Sequence, residues 1–178
     1  MRFWLGSLLA VALLTGCSSY AVPRYGVSVT NATALKQTGA AAPISVGKFT
    51  ATGESKKDIT CRAVGPIKTL DERPFEEYLR KALIDELQVA GIYAESAPIV
   101  LTGNLDQIDF SSQAGKWTLA MTVKSTNGRT LTVANSHDYD TSFIGEKACA
   151  LTAQAFPPAV QTLIGKLVHH PDFAGLLK

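Results

Sequence analysis

The chain has 178 residues, 46% hydrophobic and 18% charged, with 17 Lys and Arg against 15 Asp and Glu. That near balance supplies no clustered positive field for a phosphate backbone, and it argues against nucleic acid as a partner. The length suits one domain with a core of its own, and no internal repeat is evident.

Arg2 and the amino terminus precede an uncharged run from Phe3 to Leu14. Such a run fits the about 7–15 apolar residues of a signal-peptide core and falls short of the about 20 that a bilayer span needs. It ends in Leu13-Leu14-Thr15-Gly16-Cys17, the pattern of a lipobox. Small Gly16 lets a peptidase approach the backbone, and polar Ser18-Ser19 closes the run. The expectation is that residues 1–16 are a lipoprotein signal peptide and that the mature chain starts at Cys17. Its sulfur and amino group would then carry acyl chains such as palmitate. Each buried methylene stabilises by about 0.8 kcal/mol, so two or three chains hold a protein at a membrane. Ser18, where an aspartate would retain a lipoprotein in the inner membrane, implies an outer-membrane anchor with the domain facing the periplasm. The competing readings are an ordinary signal peptide with a cysteine near its cleavage site and a core cysteine in an apolar helix.

Residues 17–42 are rich in Ser, Thr, Ala and Gly without a sustained apolar period, and read as a tether. Tyr25, Val27 and Val29 alternate, so Arg24 to Thr30 is the part that could dock as a strand. The folded domain is placed at residues 43–178. Ile44, Val46 and Phe49, then Ile59, Cys61 and Ala63, lie either side of a turn-like Thr52-Gly53-Glu54-Ser55 stretch and suggest a hairpin. Pro74 opens a helix with Phe75, Tyr78, Leu79, Ala82, Leu83 and Leu87 at helical spacing and Gly91 past its end. Its Glu76-Glu77 and Asp85-Glu86 pairs are assigned to solvent. Ile99, Leu101, Leu105 and Ile108 support a strand with an irregularity near Gly103. Trp117, Leu119, Met121 and Val123 alternate, Asn127-Gly128 gives a hairpin turn, and Leu131 and Val133 resume the alternation. Tyr139 and Phe143 would prolong that strand. A final helical region carries Ala148, Leu151 and Ala155, then Val160, Leu163, Ile164, Leu167 and Val168, with Pro157-Pro158 expected to break it.

The order β-β-α-β-β-β-α predicts an α+β fold in which two helices cover one face of an antiparallel sheet. The other face would carry Thr118, Thr122, Lys124, Thr130 and Thr132, either as plain solvated surface or as a docking face for a partner. Cys61 and Cys149 are the thiols left once Cys17 is modified. An oxidising compartment favours a bridge between them, and two separate buried thiols are the alternative.

No phosphate loop, nucleophile elbow, HExxH or dinucleotide fingerprint is present. His137, Asp138 and Asp140 are close in sequence, but alternate strand positions face opposite ways, so no metal site is expected. His169-His170 reads as a helix cap. No catalytic residue, metal or other cofactor is assigned, and an enzyme is not expected.

The lipobox, the Phe75…Ala82-Leu83…Leu87…Gly91-Ile92-Tyr93 segment, the Trp117 strand with its Asn127-Gly128 turn, and Phe156…Ala159-Val160…Leu163-Ile164…Phe173 together resemble the YajG-like family of outer-membrane lipoproteins. They resemble more loosely the auxiliary lipoproteins of envelope transport systems. The resemblance spans most of the mature chain and implies fold and location, with no functional residues carried over. The expected function is a non-enzymatic interaction or accessory module of the cell envelope, membrane-bound through its acyl anchor and bound to an envelope protein partner. The alternative is a binding module for a lipid or cell-wall fragment in a pocket between sheet and helices, lined by Trp117 and Tyr93.

Overall fold

The computed structural model describes residues 19–178; Cys17 and the expected signal peptide lie outside the described residues. The class is α+β. In chain order the elements are β1 (Tyr20–Val22), α1 (Val29–Gln37), β2 (Ile44–Ala51), β3 (Asp58–Cys61), β4 (Gly65–Thr69), α2 (Phe75–Val89), β5 (Ile99–Ser111), β6 (Lys116–Ser125), β7 (Thr130–Asp138), α3 (Gly145–Val168) and α4 (Phe173–Leu176). Among the described residues no helix is long and apolar enough to cross a membrane.

The strands form two sheets rather than one, in the orders β1-β4-β3 and β2-β5-β6-β7. Each sheet contains one parallel pair, β1 with β4 and β2 with β5. The expected hairpin of the β2 and β3 segments does not form, because β2 pairs with β5 and β3 pairs with β4. Burial explains the choice. Ile44, Ser45 and Val46 are all buried, so β2 needs a long partner whose inward residues, Leu101 and Leu105, continue the same apolar layer. The strand β4 carries Pro66 opposite Thr60, and a proline lowers strand expectation at that segment.

The antiparallel part follows the sequence pattern. Trp117, Leu119, Met121 and Val123 of β6 point inward and are buried, and the hairpin closes with Gly128 at φ 87°, a left-handed position that suits glycine. The irregularity expected near Gly103 is present in the pairing with β2, which shifts register opposite Leu101 to Gly103, and a second shift falls in the pairing with β6 between Leu105 and Gln107. Gly103 also makes room for a core aromatic, since a Cβ there would stand 2.5 Å from the Phe49 ring. The helices α2 and α3 pack on the inner face of the larger sheet, α2 chiefly against β2 and α3 against β6 and β7.

Of three further departures, the first two share one cause, tertiary burial overriding local signals. The segment read as a tether docks: β1 joins β4, and α1 packs on α2 and α3, with Val22 and Leu35 fully buried. The helix α3 runs unbroken through Pro157 and Pro158. Two interior prolines cost about 3 kcal/mol or more each, and a stripe from Cys149 through Phe156 and Val160 to Leu167, all at 0% exposure, offsets that cost. Lastly, β7 ends at Asp138, and Phe143 does not extend it but stands fully exposed at 106%.

Candidate functional site

Among the described residues, the larger sheet keeps one face free of helices, and the three residues singled out there, Thr118, Thr122 and Lys124, lie on it in alternate positions of β6. Thr118 and Thr122 are half-buried and Lys124 is exposed. Strand register sets Thr50, Asn104, Thr122 and Thr132 in one row across all four strands. The row is joined by hydrogen bonds. Thr50 Oγ1 donates to Asn104 Oδ1 at 2.8 Å, Asn104 Nδ2 donates to Asp106 Oδ1 at 2.6 Å, and Thr122 Oγ1 donates to Asp106 Oδ2 at 2.7 Å. The Thr122 and Thr132 hydroxyls are 2.8 Å apart. Asp106 sits at the bulge of β5, where the extra residue turns its carboxylate toward Asn104 on its own strand and Thr122 on β6. Short side chains already fixed by one another make this row rigid, and little rotamer entropy is left to lose when something lies against it.

The β7 edge of that sheet is different. Lys166 of α3 donates Nζ to the Ala134 carbonyl of β7 at 2.9 Å, and a lysine laid on an edge strand blocks pairing by another chain.

A second polar centre is built around Glu86, which is 0% exposed although its sequence neighbours suggested solvent. Its Oε1 accepts from the Tyr25 hydroxyl at 2.6 Å, the Ser28 backbone N–H at 2.9 Å and Asn31 Nδ2 at 3.4 Å, while Oε2 has no hydrogen-bond partner among the described residues. Burial, then the hydrogen bond to Glu86 and its charge, push the Tyr25 hydroxyl well above the usual phenol range. Burial likewise raises Tyr78. Glu86 thus ties α1 and the Tyr25 segment to α2. Beside it lies a cleft of about 220 Å³ lined by Arg24, Tyr25, Asp71, Tyr78, Lys81 and Asp85, among others. That is below the about 300–1,000 Å³ usual for small-molecule sites. Glu76, also assigned to solvent, is 5% exposed and accepts from the Ser55 hydroxyl. The signal available in the sequence was spacing: positions 75, 79, 83 and 86 share one helix face.

The remaining candidates are accounted for by packing. Trp117 is 0% exposed, donates Nε1 to the Thr152 carbonyl at 2.9 Å, and packs its ring on Phe110 and Phe156 with centroids 4.9 Å apart in both cases. It is core and cannot line an open pocket between sheet and helices. Tyr93 instead bridges to Ile44 at the start of β2. His137 turns toward Thr162 of α3, its Nδ1 3.4 Å from the hydroxyl, and burial lowers its pKa. Asp138 faces the other way, 3.4 Å from Lys116 Nζ. His169 Nδ1 lies 2.8 Å from the Gly165 carbonyl at the end of α3, a capping contact. Cys61 and Cys149 form a disulfide, with Cα atoms 5.9 Å apart, that joins the end of β3 to α3.

Fold and site together define a disulfide-stapled α+β domain with a rigid polar sheet face that no described element covers. No protein-family model matches the chain, and no curated protein matches it. Among solved structures, a chain from Caulobacter crescentus CB15, described provisionally as a lipoprotein, is similar over 83% of this chain and 94% of its own, at 16% identity and a TM-score of 0.38. That likeness is too loose to carry an argument about function.

Proposed function

We propose that the protein is a lipid-anchored, non-enzymatic module of the bacterial cell envelope that binds a protein partner through the open face centred on Thr118, Thr122 and Lys124. The observation that carries the reading is the pre-ordered row Thr50-Asn104-Asp106-Thr122-Thr132, a rigid platform on the side of the sheet that no described helix covers. The lipobox ending at Cys17 supports an anchored location, with Ser18 favouring the outer membrane. The likeness to YajG-like lipoproteins along Phe75 to Tyr93 and Phe156 to Phe173 supports the same placement. The face is favoured over the sheet edges because Lys166 lies on the β7 edge and Arg80 donates to the Val46 and Gly47 carbonyls of β2.

The test is crosslinking in intact cells followed by affinity capture and mass spectrometry. A reproducible envelope protein is expected, and Thr118→Asp combined with Lys124→Glu should reduce its yield several-fold. Val89→Asp, on exposed surface of α2, should not. Equal yields from both variants would reject the face as the docking surface.

A further inference from the structure

The loop between β7 and α3 ends in two apolar residues that no described residue covers: Phe143 is 106% and Ile144 63% exposed. Their backbone is nonetheless held firmly. The Thr141 hydroxyl donates to the Ser112 carbonyl, Arg62 Nη1 donates to the Phe143 carbonyl at 3.4 Å, and α3 starts at Gly145, four residues ahead of the disulfide at Cys149. Arg62 is itself fixed, donating Nε and Nη2 to Ser112 at 2.8 and 2.7 Å. A fixed backbone that presents an aromatic and a branched aliphatic side chain to water is an apolar tip, and a burying surface of some kind is the ordinary reason for one.

Topology decides which surface. β1 runs parallel to β4 with Tyr20 opposite Ile67, and β4 begins at Gly65, opposite Cys61 of β3. The residue after Cys61 is Arg62, which holds the Phe143 carbonyl. The start of β1 and the Phe143-Ile144 tip therefore occupy the same end of the molecule. Two residues, Ser18 and Ser19, separate Cys17 from Tyr20, and the three steps between them reach about 10 Å at full extension. Because β1 docks, the chain has no tether with which to stand off. An acylated Cys17 would hold this end of the domain at the lipid headgroups, with the tip directed at the same surface.

We propose that Phe143 and Ile144 insert into the interface of the bilayer that holds the acyl chains, giving the domain a fixed orientation on the membrane. The inference rests on the anchored reading of Cys17 given above. Charge has little part in it. The charged residues around the tip balance, Arg62 and Lys147 against Asp140 and Glu146. Insertion is driven by apolar burial and should not depend on anionic lipid. This orientation leaves the polar sheet face lateral to the membrane and open to a partner.

The experiment uses the lipidated mature protein in vesicles of phosphatidylcholine alone, comparing Phe143→Trp with Val89→Trp. Val89 sits near the opposite end of the larger sheet, where the Ile92 carbonyl accepts from the Ile44 N–H at 2.8 Å. Buried Trp117 is a constant background in both variants. On reconstitution, Phe143→Trp should shift to the blue, become several-fold less accessible to acrylamide and be quenched by lipids brominated near the headgroup. Val89→Trp should change in none of these. If the protein floats with the vesicles while Phe143→Trp stays as accessible as Val89→Trp, insertion is wrong and anchoring stands. Shielding seen in native membranes but absent from pure lipid would assign the tip to a protein and also overturn the proposal. If wild type and Cys17→Ser float equally poorly, the anchored reading fails and takes the proposal with it.

Discussion

Glu86 takes three donors on one oxygen, and its other oxygen has none among the described residues, so its energetic role depends on the groups that surround it. Removing the Tyr25 hydroxyl deletes a hydrogen bond to a buried acid, and Tyr25→Phe should destabilise by about 1.5–3 kcal/mol at neutral pH in urea titrations. The same substitution has a signature in alkali. The Tyr25 pKa is raised in the folded protein by burial and by Glu86, so above about pH 10 the unfolded chain releases its phenolic proton before the native one does. The native state then binds more protons than the unfolded state, and stability falls as pH rises through that range. The alkaline slope of the wild type should therefore exceed that of Tyr25→Phe, with Tyr78 and Tyr139, raised by burial as well, adding a common background. Identical slopes above pH 10 would show that Tyr25 ionises as freely as in the unfolded chain. Glu86 illustrates what one residue hides in a sequence. Its place on the Phe75-Leu79-Leu83 face was legible from spacing, but the donors come from residues 25, 28 and 31, more than fifty positions away, and nothing local reveals them.

Among the elements, β6 and β7 were legible because alternation and an Asn-Gly turn agree. The bulged β5 was legible in part, since Asp106 breaks its period. On the outer face, Thr122→Asp would place a second carboxylate against Asp106, where the Thr122 hydroxyl now donates at 2.7 Å. Like charges held adjacent in a sheet are destabilising. The variant should lose about 1–2 kcal/mol relative to wild type in denaturant titrations. Thr118→Asp would stand opposite Asp109 across the β5–β6 pair and should also destabilise, but by less than Thr122→Asp, because no hydrogen bond joins Thr118 to that acid. Gly115 marks the tight turn between β5 and β6. It has φ 65°, and a Cβ would stand 2.1 Å from the Tyr139 carbonyl. Gly115→Ala combines left-handed strain with a backbone clash and should lower stability by about 2 kcal/mol or more, visible as a drop in Tm. α3 shows the opposite balance: Pro157 and Pro158 are strong local stop signals, but a helix whose inner side is buried along 24 residues follows its packing.

At the scale of the molecule, the Cys61–Cys149 bridge closes a loop of 88 residues and staples the smaller sheet to the helix that covers the larger one. The chain-entropy model gives about 4–5 kcal/mol for such a loop. Cys61→Ala with Cys149→Ala should lose that order of stability in urea, and reductant should bring the wild type to the same midpoint. The amino-acid sequence by itself determined the α+β class, the first long helix and the β6-β7 hairpin, because each rests on a local period closed by its own start or stop residues. It also set the lipobox expectation and the spacing of the two inner cysteines. Tertiary structure alone decided that residues 20–37 dock, that β2 lies parallel to β5, that two prolines stay within α3, and that Phe143 lies at the end of the molecule where β1 begins. These outcomes depend on burial and pairing between residues tens of positions apart, and the free energy of such contacts is written in no single segment of the chain.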